Sequence, residues 1–313
     1  MALHGLSYVV MGVPDAATVA GFYADFGLDE VGPGRFATVD GGEQLRIVPA
    51  AWRHVVEVGV AADDPDDLGR IRSRLAALDI ACEDTDPQSV TAYEEGTGIR
   101  VRVLVAPRIT QEPAVLPAYN LPGQINRDTA RSEAVLRTDP VRPRKLGHVV
   151  IGSVDQKQSQ RFFVEGLGFK VSDEVVGRAA FLRCSTDHHN ILVQNSPARF
   201  LHHTSWQVED VDEVGRGATS MLAADPGRHV WGLGRHHIGS NFFWYLRDPG
   251  GNFAEYYSDL DCIVEDQLWD PRVFDAWDPA SPNGRLGLYN WGPPPPPSFL
   301  KPDDLAELMA ESH

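Results

Sequence analysis

The chain is poor in the residues that hold small or exported proteins together. It has three cysteines in 313 residues, Cys82, Cys184 and Cys262, and no two form a CxxC pair. A disulfide framework and a thiolate metal site are both excluded on that count, and a reducing cytoplasm is the expected setting. We expect Cys82 and Cys184 to be buried and inert. Long apolar runs are also missing. No stretch approaches the roughly 20 residues of a membrane span, and the opening MALHGLSYVVMGVPD has no basic segment leading into an apolar one, so no secretion signal is expected. Positive charge is scarce too: 28 Lys and Arg against 44 Asp and Glu give a formal net charge of −16. Nucleic acid and anionic membranes reward clustered Lys and Arg, so neither is an expected partner.

What remains is a soluble globular composition in a chain long enough for two domains. Its organisation shows as repetition. LSYVVMGVPDAATVAGFYADFGL (6–28) returns as LGHVVIGSVDQKQSQRFFVEGLGF (146–169), with Tyr8, Asp15 and Phe22 matched by His148, Asp155 and Phe162 at a constant offset of 140. Each copy reads as a strand, an Asp suited to capping a helix start, and an amphipathic stretch ending at Gly. Further copies begin at His54 (HVVEVGVAADDPDDL) and His203 (HTSWQVEDVDEV). After each helix come short apolar runs broken by turn residues: RFATVD (35–40), EQLRIV (43–48), RAAFLRC (178–184), NILVQ (190–194) and NFFWYL (241–246).

The pattern predicts an α+β protein of four βαβββ modules, two per half. We expect a first unit over 1–137, which takes in most of a polar, Pro-containing connector (about 107–144), a second over 138–261, and a Pro-rich tail over 262–313. The run PPPPP in WGPPPPPSF (291–299) should be extended, at the surface and packed along its own protein, since proline joins neither helix nor central strand.

Three residues of the second half form a candidate metal centre. His148 and His203 open the first strands of modules three and four, and each precedes its Asp by seven residues (Asp155, Asp210). Pairing of the modules about a local two-fold axis would bring the imidazoles together. Glu255 lies in the last strand, NFAEYYSD. Two imidazoles and one carboxylate on one face leave three coordination positions open, which is the ligand set of non-haem iron(II) oxygenases. Iron(II) is the expected ion, manganese(II) also fits, and structural zinc would ask for a closed shell. The first half serves as a control: Tyr8 replaces His148, Arg102 aligns with Glu255, and His54 is the histidine that remains. A guanidinium in place of a carboxylate repels a cation, so this half should hold no metal.

The stretches LGHVVIGSVD, DHHNILV, FLHHTSWQVED and GRHHIGSNFFWYLRDPGGNFAEYYSD resemble those of the type I extradiol ring-cleavage dioxygenases of the vicinal oxygen chelate superfamily, and the resemblance runs over nearly the whole chain. It implies the glyoxalase-like fold and meta cleavage of a catechol by dioxygen. It also implies His148, His203 and Glu255 as metal ligands, His189 as the acid/base group, His236 beside the substrate's hydroxyl side, and Tyr245 bonding the catechol oxygen. Histidine suits proton exchange near neutral pH. His188 and His237, next to these two, would turn away from the pocket by strand alternation. Further implied substrate contacts are Val150, Phe181 and Trp231, apolar residues suited to an aryl or alkyl substituent. Ile238 and Gly239 depart from the polar residues that dihydroxybiphenyl-type enzymes carry there. Members of this family also suggest a homo-oligomer. Rival readings are a 4-hydroxyphenylpyruvate dioxygenase-like enzyme, a glyoxalase I-type isomerase, against which Tyr8 and Arg102 argue, and a metal-free small-molecule binding protein.

Overall fold

Each module begins with a strand, and an Asp just beyond it caps the next helix. Asp15, Asp64, Asp155 and Asp210 each accept the backbone N–H three residues on, at 3.0 Å, and a cap of this kind contributes about 1 kcal/mol. The repeated Gly is the helix stop: Gly27 and Gly168 both sit at φ 93°, a left-handed backbone that a side chain resists. The computed structural model describes residues 3–83, 86–115, 117–274 and 288–311.

The first half supplies a seven-stranded sheet. Its strands are β1 (Leu3–Val13), β2 (Asp29–Gly32), β3 (Arg35–Thr38), β4 (Gly42–Pro49), β5 (His54–Ala62), β6 (Ser89–Glu94) and β7 (Ile99–Val105), in the order β2-β3-β4-β1-β5-β7-β6. Helices α1 (Ala16–Asp25) and α2 (Pro65–Ala77) complete its modules. The second module departs from the βαβββ pattern: among the described residues only β6 and β7 follow α2, with an isolated Cys82–Ala92 bridge where a third strand would stand.

The second half contributes β8 (Lys145–Ser153), β9 (Lys170–Val175), β10 (Ala179–Arg183), β11 (Ile191–Asn195), β12 (Phe200–Gln207), β13 (His229–Arg235), β14 (Phe242–Arg247) and β15 (Phe253–Ser258). A ninth strand, β16 (Arg272–Phe274), comes from the tail and pairs with β9. The order is β13-β14-β15-β12-β8-β11-β10-β9-β16, so β12 lies between β8 and β15. Helices α3 (Gln156–Arg161), continued by a π-turn over Phe162–Leu167, and α4 (Val211–Ala224) belong to this half.

The halves share one apolar core, to which both sheets contribute. Phe26, at the end of α1, stacks on Tyr256 of β15 with ring centroids 3.8 Å apart, and the Tyr256 hydroxyl donates to the Phe26 carbonyl at 2.7 Å. Such a ring pair adds about 0.5–1.5 kcal/mol beyond area burial. No disulfide joins the three cysteines among the described residues. Cys184 is buried as expected, but Cys82 is only half-buried, because it sits on the isolated bridge rather than inside a sheet.

The proline run corrects one expectation. Pro296 is extended, but Pro297 opens a short helix, α5 (Pro297–Leu300), where its missing N–H costs nothing. A last helix, α6 (Leu305–Glu311), follows. Of the tail, 275–287 and 312–313 lie outside the described residues. No described helix is long and apolar enough to cross a membrane.

Candidate metal centre

Strand register builds the centre. His148 of β8 stands opposite Ser205 of β12, and Ser205 stands opposite Glu255 of β15. His203, two residues before Ser205, points to the same face by strand alternation. His148 Nε2 lies 3.1 Å from Glu255 Oε2, His203 Nε2 lies 3.6 Å from the same oxygen, and the two Nε2 atoms are 3.4 Å apart. All three residues are buried, Glu255 completely.

A divalent cation fits this set. Glu255 Oε2 is buried without a hydrogen-bond partner, a costly state for a carboxylate that a cation relieves. Burial pushes the Glu255 carboxyl up, yet His148 and the neighbouring His236 outweigh it and hold it below its ordinary range. Burial, reinforced by the surrounding imidazoles, holds His203 well below the ordinary histidine value, so its ring is neutral and keeps a lone pair for a metal. Among the described residues, this is the group of three or more His, Cys, Asp or Glu side chains able to hold an ion.

The remaining candidates lie around it. His189 lines the same cavity, with its ring centroid 4.1 Å from that of His148. His236 and Tyr245 are joined at 2.9 Å; the His236 Nδ1–H donates to the Leu288 carbonyl, so its Nε2 accepts from the Tyr245 hydroxyl. Val150 and Phe181 line the cavity. Trp231 does not. It packs one layer behind, stacked on Tyr245 at 5.6 Å with its indole N–H donating to the Pro293 carbonyl.

Several residues escape a reading of the sequence. Asn241 donates to Glu255 Oε1 at 3.1 Å and is buried. The tail reaches the cavity through Leu288, Tyr289, Phe299 and Leu300. Neither His202 nor His188 turns to solvent. His202 Nδ1 lies 2.7 Å from His203 Nδ1 and its Nε2 donates to the Phe299 carbonyl at 2.7 Å. His188 Nδ1 lies 3.0 Å from His189 Nδ1 and its Nε2 lies 3.0 Å from Asp173 Oδ2. Only the doubled HH dipeptides signalled these pairs.

The first sheet carries the corresponding row with other chemistry: Tyr8 opposite Gly59, and Gly59 opposite Arg102. The partner of His203 is therefore Glu57, two residues before Gly59, and not His54. The Tyr8 hydroxyl donates to Glu57 at 2.6 Å and Arg46 lies over the Tyr8 ring at 4.6 Å. The seven-residue spacing to the capping Asp, here Asp64, picks out Glu57 as well.

Known proteins place the centre in a family. The Glyoxalase/Bleomycin resistance protein/Dioxygenase superfamily matches residues 145–256. Metapyrocatechase 2 of Cupriavidus necator is 31% identical over 312 residues, covering 96% of this chain and 92% of its own. The chain belongs to the extradiol dioxygenases. An iron-dependent extradiol dioxygenase of Rhodococcus jostii is 31% identical over 147 residues, 42% of this chain and 48% of its own. The Mn(II)-bound glyoxalase from Novosphingobium aromaticivorans superposes with a TM-score of 0.69 at 27% identity, covering 94% and 95% of the two chains. As an extradiol dioxygenase, this enzyme carries a His-His-Glu site for iron(II), with manganese(II) also found among its relatives.

Proposed function

We propose that this extradiol dioxygenase opens the ring of a catechol bearing an apolar aryl or alkyl substituent, using His148, His203 and Glu255 to hold the metal. The observation that carries the substrate reading is the order of residues along the cavity floor. Val150, one register step beyond His148, stands opposite Leu192, which stands opposite Phe181. A ring oriented at the metal row therefore directs its substituent over an apolar row about 7 Å away. The cavity holds about 460 Å³, within the usual range for a small-molecule site, and is lined further by Ile238, Leu288, Tyr289 and Leu300, with Arg178, Gln194 and Asn195 as polar members of its wall. Burying apolar area contributes roughly 25 cal/mol per Å².

The metal, when bound, supplies open positions at which catecholate and dioxygen meet and electron density passes between them. The protein's own groups do the rest. Tyr245 and His236 bond the substrate's oxygens and fix its orientation. His189, in the same cavity, takes a hydroxyl proton and returns it as the ring opens.

Three further statements belong to this proposal. The enzyme assembles as a homo-oligomer, as the family resemblance suggests, and size-exclusion chromatography with light scattering reads its mass. It works in the cytoplasm, where its thiols stay reduced. Its partners are a catechol and dioxygen, with no nucleic acid or membrane. The test of the function is anaerobic loading with iron(II), then air and a panel of catechols, read by oxygen uptake and by the absorbance of yellow ring-fission products. Catechols with aryl or alkyl substituents should react faster than 3,4-dihydroxyphenylacetate. A preference for the carboxylate-bearing ring would overturn the apolar reading, and no cleavage of any catechol would overturn the reaction.

A further inference from the structure

Asp173 and His188 are both buried on the side of His189 away from the cavity, and nothing in the reaction sketched above uses them. Their positions are over-determined. The Arg272 N–H, delivered by β16, donates to Asp173 Oδ1 at 2.7 Å. The His188 N–H donates to the Asp261 carbonyl at 2.8 Å, and its ring is held between Phe181 and Trp269, with centroids at 5.9 and 5.4 Å. Only Oδ2 of Asp173 is left to face His188 Nε2, at 3.0 Å.

Hydrogen-bond chemistry then gives the row an order, starting from the carboxylate. A carboxylate accepts and does not donate, so His188 Nε2 carries hydrogen. A ring that carries that one N–H presents its Nδ1 lone pair to His189 Nδ1, 3.0 Å away, so His189 Nδ1 carries hydrogen and donates. The other nitrogen of His189, Nε2, is left bare. We propose that His188 and Asp173 are positioning residues that hold His189 as the tautomer with a bare Nε2 toward the cavity, ready to accept a substrate hydroxyl proton. The inference rests on the catechol reading for the identity of the donor, but the tautomer itself does not. In the step it serves, the catechol O–H bond breaks, its electron pair stays on oxygen as the catecholate, and the proton passes to His189 Nε2. The imidazolium formed is stabilised through His188 by the Asp173 carboxylate, and keeps the proton for return to the product.

Asp173→Asn tests this without changing shape. The Arg272 N–H still needs an acceptor, so the amide oxygen takes the Oδ1 position and the amide NH₂ turns to His188 Nε2. His188 must then carry its hydrogen on Nδ1, His189 Nδ1 must accept, and His189 Nε2–H faces the cavity. Two measurements follow. In zinc(II)-loaded protein, which is diamagnetic, long-range ¹⁵N–¹H NMR of labelled histidines should show His189 protonated at Nδ1 in the parent and at Nε2 in the variant. With iron(II), the variant should keep its metal and its KM for catechol but lose on the order of 10²-fold in kcat. It should keep most of its rate on 4-nitrocatechol, whose acidified hydroxyl parts with its proton without a strong base. A parent protonated at Nε2, or equal losses on both substrates, overturns the proposal. Should the parent cleave neither catechol while His189 is protonated at Nδ1, the reading of the reaction falls and the positioning role stands.

Discussion

Glu57 occupies in the first sheet the register position that His203 holds in the second, and it accepts a 2.6 Å hydrogen bond from Tyr8 where His203 would share a cation with His148. The repeated unit has thus kept its geometry and replaced its chemistry. A tyrosine–glutamate bond, with Arg46 over the ring and Arg102 in the carboxylate's place, satisfies internally what the other sheet satisfies with a metal.

The first prediction follows from that replacement. Tyr8→Phe should leave metal content and turnover unchanged, because the first sheet contributes no ligand. It should cost roughly 1–2 kcal/mol of stability, since a half-buried carboxylate loses its donor. Metal analysis should read one equivalent per chain in both proteins, with the denaturation midpoint lowered in the variant. A drop in bound metal would show that Tyr8 belongs to the centre.

His203→Ala and His189→Phe separate holding the metal from using it. The first should abolish both bound iron and ring cleavage, because a glutamate and one imidazole cannot complete the set. The second should retain iron and lose between 10²- and 10⁴-fold in turnover, the range for a general acid/base group. Iron content beside single-turnover rates checks both. Full activity in His203→Ala would refute the ligand set, and normal turnover in His189→Phe would refute the acid/base role.

Much of this was legible in the sequence, because repetition carries it. Four capping aspartates at fixed spacing locate four strand–helix units, and the same spacing picks out His148 and His203. It failed for Glu57 because the eye follows histidine rather than the interval. What lay beyond reach are contacts closed by tertiary structure. Asp173 is an unremarkable acid on a strand until His188 meets it 15 residues later. Phe299 lies 97 residues from His202, beyond a connection that no periodicity marks. That Trp231 lies outside the cavity lining was out of reach for a related reason: position relative to His236 does not say that its ring packs against Tyr245 and Phe299.

The tail's carbonyl at Phe299 leads to a third prediction. A bond from His202 Nε2–H to that carbonyl leaves His202 Nδ1 to accept from His203 Nδ1–H, which frees His203 Nε2 for the metal. His202→Phe removes the acceptor while keeping an aromatic ring among Phe253 and Phe299. Metal affinity should fall by about 10- to 100-fold, as for other groups that orient a ligand, with catalysis restored when metal is in excess. Titration with iron(II) under anaerobic conditions measures it. Unchanged affinity would mean that the ring of His203 is held by packing alone.

Asp248 gives a prediction in pH. It lies in the turn before Glu255's strand, buried, with Asn252 donating to both its oxygens. Burial raises its carboxyl and the Asn252 bonds only partly offset that, leaving it pushed up to about 6. A carboxyl raised in the fold stabilises the native state below its unfolded value near 4, and that contribution is lost as pH rises through 6. Asp248→Asn has no such dependence. The difference in unfolding free energy between variant and parent should therefore move toward the variant by roughly 2–3 kcal/mol from pH 4 to 7. Urea midpoints measured across that range decide it, since every other titrating group is common to the two proteins and cancels. A difference that stays flat would mean Asp248 is already ionised in the fold, with its turn built to hold the charge.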